Sequence, residues 1–141
     1  MKKWKILIID DDIDFVEATK IVLETKYYVS VAYNGEEGRR KLKMEKPDLI
    51  ILDMMMDGRG EGFLFSREIE KSPEYSNIPI LMLTGMRKQT GFFPIEDDPR
   101  DSKYLPVDEF VEKPIEPQDL LKKVEQLLSK KGIKNGIAKD L

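Results

Sequence analysis

The stretch "KILIIDDDID", Lys5 to Asp14, decides the fold. The apolar run Ile6 to Ile9 passes directly into three carboxylates, Asp10, Asp11 and Asp12, with a fourth at Asp14. A continuous apolar run of this kind fits a central parallel strand covered on both faces. Three acids at its end would repel one another unless they are solvated, cap a helix, or face something cationic.

Working outward, four further segments read as strands. "PDLIIL" (47–52) and "IPILML" (78–83) are continuous apolar runs, "YYVSVAY" (27–33) is β-branched and aromatic, and "EFVE" (109–112) is short and polar, like an edge. Helical segments lie between them. Residues 13–26 place Phe15, Ala18 and Val22 at helical spacing, and 61–72 offer Phe63, Leu64 and Ile69 as an inner face. "NGEEGRRKL" opens with Asn34 followed three residues later by Glu37, a capping-box pattern. The last helix starts at Pro117 and carries one apolar stripe, Leu120, Leu121, Val124, Leu127 and Leu128. "MMM" (54–56) reads as core filler. Strands alternating with helices predict an α/β fold, a doubly wound five-stranded parallel sheet with helices on both faces.

The chain of 141 residues suits one domain, and 40% apolar with 36% charged residues makes it globular. No apolar run approaches the length of a membrane span, and the run after "MKKWK" is too short for a signal-peptide core, so a cytoplasmic protein is expected. The absence of cysteine and histidine removes thiolate and imidazole metal sites and the usual general base. A formal charge of −3 argues against a dedicated nucleic-acid binder. The segment from Gly85 to Pro106 holds Pro94, Pro99 and Pro106 and no sustained helical period. A loop anchored by Phe92, Phe93 and Tyr104, or at most a short helix, is expected there. The tail from residue 129 is Lys-rich.

Open parallel sheets bind ligands beyond the carboxyl ends of their strands. Asp10 and Asp11 end the first strand, Asp53 the third, Thr84 the fourth and Lys113 the fifth, so these side chains converge on one rim. All-oxygen ligands without His or Cys suit a hard ion, and Mg2+ fits best because it accepts few protein ligands. A carboxylate can attack phosphorus and form an acyl phosphate. Asp53 follows the central strand and is the expected nucleophile, with Lys113 supplying a point charge and the Thr84 hydroxyl a hydrogen bond.

On "ILIIDDD", "PDLIILDMMM", "ILMLTG" and "FVEKP", in that order over residues 4–128, the chain resembles a response-regulator receiver domain of two-component signalling. The resemblance implies the flavodoxin-like strand order 2-1-3-4-5. It implies that Asp10, Asp11, Asp53 and the backbone carbonyl of Met55 hold Mg2+, with Asp53 as phosphoacceptor. Thr84 matches the switch hydroxyl, Phe110 the aromatic switch residue and Lys113 the lysine of the site, and the Lys113–Pro114 bond matches one that is typically cis. The implied function is a stand-alone switch, not an enzyme. It takes a phosphoryl group from a sensor histidine kinase or phosphotransfer protein and signals by altered partner binding or phosphorelay. The expected organisation is a receiver over 1–128 and a tail over 129–141 without an effector domain, with no direct DNA binding and no membrane contact. Met55 and Met86 stand where polar side chains could hold an attacking water, so a long-lived acyl phosphate is expected.

Three departures from the family pattern stand out. Asp57 replaces the usual proline, "GRGEG" carries one extra residue, and the interval from Thr84 to Lys113, 113 − 84 = 29 positions, is long. Two rival readings fit the residues less well. A phosphatase of the haloacid-dehalogenase type would use the D-x-D of Asp10 and Asp12, but no acidic pair follows Lys113. A metal-free interaction module would lack some site residue, and none is missing.

Overall fold

Alternating side chains along three apolar strands give the sheet two buried faces. A computed structural model of the chain describes residues 3–56, 60–85 and 107–134, the last four as backbone only. The strands are β1 (Lys5–Ile9), β2 (Tyr28–Ala32), β3 (Leu49–Asp53), β4 (Ile80–Thr84) and β5 (Glu109–Glu112). The helices are α1 (Ile13–Leu23), α2 (Gly35–Glu45), α3 (Glu61–Lys71) and α4 (Pro117–Lys134). All strand pairs are parallel, in the order β2-β1-β3-β4-β5, as expected. On one face Ile6, Ile8, Leu49, Ile51, Leu81 and Leu83 pack with α1 and α4. On the other, Leu7, Ile9, Ile50, Leu52, Ile80 and Met82 pack with α2 and α3. β1, β3 and β4 are covered on both sides, which is why they read as unbroken apolar runs.

The end of the sheet away from the rim is closed by aspartates. Asp48 donates its backbone N–H to the Lys5 carbonyl at 2.7 Å, and its carboxylate accepts the Lys5 N–H at 2.8 Å. Asp108 does the same to Ile80, at 2.9 Å in both directions. Both opening N–H groups are thereby satisfied. At the β2 edge, the Lys41 ammonium reaches from α2 to the Val31 carbonyl at 2.7 Å.

The helix starts follow the sequence. Asp12 caps α1, its Oδ1 accepting from the Phe15 N–H at 3.1 Å. Asn34 accepts from the Glu37 N–H at 2.8 Å, and Glu37 reaches back to the N–H of Tyr33, one residue before the cap. The α4 stripe is buried as read, and so are Met54 and Met56.

Two inner faces differ from expectation. On α1 the buried line is Val16, Thr19 and Leu23, while Phe15 and Val22 flank it half-buried and Ala18 is exposed. On α3 it is Gly62, Phe65, Ser66 and Ile69, with Phe63 half-buried and Leu64 exposed. The expected faces were drawn through apolar residues, but small and weakly polar residues occupy the inside. Ser66 can be buried because its hydroxyl donates to the Phe63 carbonyl at 2.7 Å within its own helix. Residues 86–106 of the expected loop, with Phe92, Phe93, Tyr104 and the three prolines, lie outside the described residues, as do Asp57 and the end of the tail.

Candidate functional site

Parallel strands all point one way, so the residues at their carboxyl ends meet at a single rim. Asp10 follows β1, Asp53 closes β3, Thr84 closes β4 and Lys113 follows β5. One carboxylate oxygen each of Asp10, Asp11 and Asp53 lies within 4.8 Å of the others. Asp10 is fully buried, Asp53 is nearly so at 8% exposure, and Asp11 faces solvent.

A fully buried carboxylate must be compensated. Asp10 Oδ1 accepts the Asp12 N–H at 2.9 Å, and Oδ2 lies 2.9 Å from the Lys113 ammonium. That second contact is an ion pair without an aligned hydrogen bond. Lys113 is also anchored through its backbone, whose N–H donates to the Thr84 carbonyl at 2.8 Å. The same ammonium sits 4.7 Å from the centre of the Phe15 ring. The Lys113–Pro114 peptide bond is cis, as the family resemblance implied.

Asp53 is the strained member. Its Oδ1 accepts the Met55 N–H at 3.2 Å. Burial pushes its carboxyl up to about 7, and the charges of Asp10 and Asp11 push the same way against the opposing pull of Lys113 and the Met55 N–H. Burial disfavours the Lys113 ammonium, but its ion pair with Asp10, together with the charges of Asp53 and Asp12, raises its pKa overall. The result is a lysine firmly charged beside an acid cluster that carries excess negative charge. All-oxygen donors at this spacing fit a hard divalent cation.

The helix after Asp53 approaches it closely. The N–H groups of Gly62 and Phe63 both point at the Met54 carbonyl, at 3.1 and 3.3 Å. A Cβ on Gly62 would lie 1.8 Å from the Asp53 carbonyl oxygen, so only glycine permits this seating. Glu61 reaches across to accept the Gly35 N–H at 2.8 Å, tying the start of α3 to the start of α2. Phe110 lies half-buried against the α2–α3 face of the sheet.

Asp10, Asp11 and Asp53 thus form one cluster, Lys113 joins it through Asp10, Met55 bonds Asp53, and Thr84 stands at the neighbouring strand end. Sequence reading missed Phe15, which it assigned to packing, and Gly62. A glycine in the first turn of a helical segment, nine residues after a candidate nucleophile, was the available signal for the latter.

The sequence profile of the response regulator receiver domain matches residues 6–125. The chain belongs to the receiver family. Receiver domains are the modules of phosphorylation-dependent signalling in two-component systems. This receiver is 29% identical to the protein PilH of Pseudomonas aeruginosa over 126 residues, covering 89% of this chain and 98% of that one. It is 32% identical over 133 residues to the probable transcriptional regulator ycf27 of Cyanophora paradoxa, covering 91% of this chain and 49% of the relative. The chain therefore spans about half the length of such relatives. Among solved structures, the CheY-like receiver domain protein of Methanospirillum hungatei superposes with a TM-score of 0.78 at 26% identity, over 94% of this chain and 99% of that one. None of the described helices is long and apolar enough to cross a membrane.

Proposed function

We propose that this receiver is a cytoplasmic switch phosphorylated on Asp53 by a sensor histidine kinase or a phosphotransfer protein. One observation carries the reading: three carboxylates share a buried-to-exposed cluster within 4.8 Å, with a lysine ammonium paired to its innermost member. Asp10, Asp11, Asp53 and the Met55 backbone carbonyl would hold Mg2+. Once bound, the ion supplies positive charge against the acids and against the oxygens of the group being transferred.

The chain's own residues do the rest. An Asp53 carboxylate oxygen attacks the phosphorus; the new O–P bond forms as the N–P bond to the donor histidine breaks, and the imidazole nitrogen leaves with the electron pair. Lys113 delivers a fixed positive charge to the transferred oxygens, and the Thr84 hydroxyl donates to one of them. Drawing Thr84 inward vacates space that Phe110 turns to fill, so partner affinity changes with phosphorylation. Residues 1–128 carry this switch, and its output is by contact or phosphorelay. The chemistry is the protein's own modification, not turnover of an external substrate.

Incubation with acetyl phosphate and Mg2+ or Mn2+ should place one phosphoryl group on Asp53, read by mass spectrometry. Stoichiometric labelling of Asp53→Asn, or of wild type in excess chelator, would refute the assignment. The acyl phosphate should also outlive those of receivers that carry polar side chains beside the site. Met55→Asn should hasten phosphate loss about tenfold by orienting a water. Decay of the wild type within seconds would show that Met55 does not set the lifetime.

A further inference from the structure

Lys113 is held from two sides by groups of different character. On one side is the Asp10 carboxylate at 2.9 Å, and on the other the face of the Phe15 ring, 4.7 Å from ammonium to centroid. That distance is well inside the range of about 6 Å at which a cation is attracted by a ring quadrupole. The backbone that carries the ring is fixed. Phe15 lies in the first turn of α1, and its N–H is the one that Asp12 caps, at 3.1 Å. Asp12 in turn donates its N–H to Asp10 at 2.9 Å. Asp10, Asp12, Phe15 and Lys113 therefore close into a ring of contacts, each member placed by the one before it.

We propose that Phe15 is a positioning residue for the phosphorylation step, holding the Lys113 ammonium over the acid cluster by its ring face. The proposal rests on Asp53 being the phosphoacceptor. A second carboxylate on that side would hold the lysine as well but would cancel its field. An aromatic ring attracts the cation while carrying no net charge, so it adds nothing to the offset that Asp10 already imposes on the lysine's field at the incoming phosphoryl oxygens. A four-carbon stem otherwise lets the ammonium roam. The competing account is plain packing, since Phe15 also lies against the core shared by α1 and α4.

The two accounts separate in a double-mutant cycle. Phe15→Leu keeps an apolar side chain but removes the ring. It should slow Asp53 labelling by acetyl phosphate about three- to tenfold at saturating donor, without moving the half-saturating donor concentration. Phe15→Tyr restores a ring and should keep the rate within about twofold of wild type. In a Lys113→Met background, Phe15→Leu should cost nothing further. Equal losses in both backgrounds, or no loss in either, would overturn the proposal. A second readout does not depend on phosphorylation: ring current should shift the Lys113 ε-methylene protons upfield in wild type, and Phe15→Leu should abolish the shift. Unshifted protons in wild type would place the ammonium away from the ring and sink the idea. A wild type that never labels at Asp53 while the shift is present would instead overturn the functional reading of the site, and with it the role given to Phe15 in that step.

Discussion

Asp53 shows at the level of one side chain how a receiver stores unfavourable charge. Its carboxyl is pushed up to about 7, first by burial and then by Asp10 and Asp11. An acid whose pKa is higher in the folded protein binds its proton more tightly there than in the unfolded chain. Its contribution to stability is therefore present below its unfolded value, about 4, and is lost as pH rises towards 7. Without divalent ions, the wild type should lose thermal stability between pH 5 and 8. Asp53→Asn, which keeps an acceptor for the Met55 N–H, should be flatter over that window and more stable at pH 8 by roughly 2–4 kcal/mol. Calorimetry in chelator, with equal slopes for the two proteins, would contradict this. The acids and Lys113 were legible in the sequence because charged side chains at strand ends have few other reasons to converge. The partner of Lys113 was not. Phe15 is apolar, and nothing in a linear pattern separates a ring that packs from a ring whose face meets a cation.

Among the elements, α3 depends most on one small residue. Its seating against the peptide of Asp53 leaves no room for a Cβ at position 62, where the obstruction is backbone. Alanine is a better helix former than glycine by about 1 kcal/mol, yet here overlap with a carbonyl outweighs that gain. Gly62→Ala should destabilise the fold by about 3 kcal/mol or more, measured by urea unfolding. Gly38→Ala should cost less, because its Cβ would meet side chain rather than backbone, the Ile9 Cδ1 at 2.8 Å and Cγ1 and Cγ2 at 3.3 Å. Similar losses at the two sites would show that α3 can shift outward. Element identity and order were readable from period and caps, since Asn34 caps its helix as expected. The rotation of α1 and α3 about their axes was not, because Thr19, Gly62 and Ser66 lie inside where the pattern pointed to Ala18, Phe63 and Leu64.

Across the whole molecule, one sheet separates two cores yet couples them, because each buried strand supplies side chains to both. Leu23 on α1 and Ile69 on α3 belong to opposite cores. Replacing either with alanine should cost about 2–5 kcal/mol. The double variant should show the sum to within about 0.5 kcal/mol, in a single cooperative transition. Two separate transitions would mean that the sheet does not transmit the loss.

The flank of that sheet carries a further consequence. β2 is an outer strand, and outer strands present unused backbone groups that other chains can zip onto, the first step towards fibres. The ammonium of Lys41 already occupies the Val31 carbonyl on this strand. An extended peptide adding there would have to evict a charged donor and leave it stranded at a new seam, a cost that growth from an undefended edge would not meet. The bond that fastens α2 to its strand therefore also discourages polymerisation along this edge.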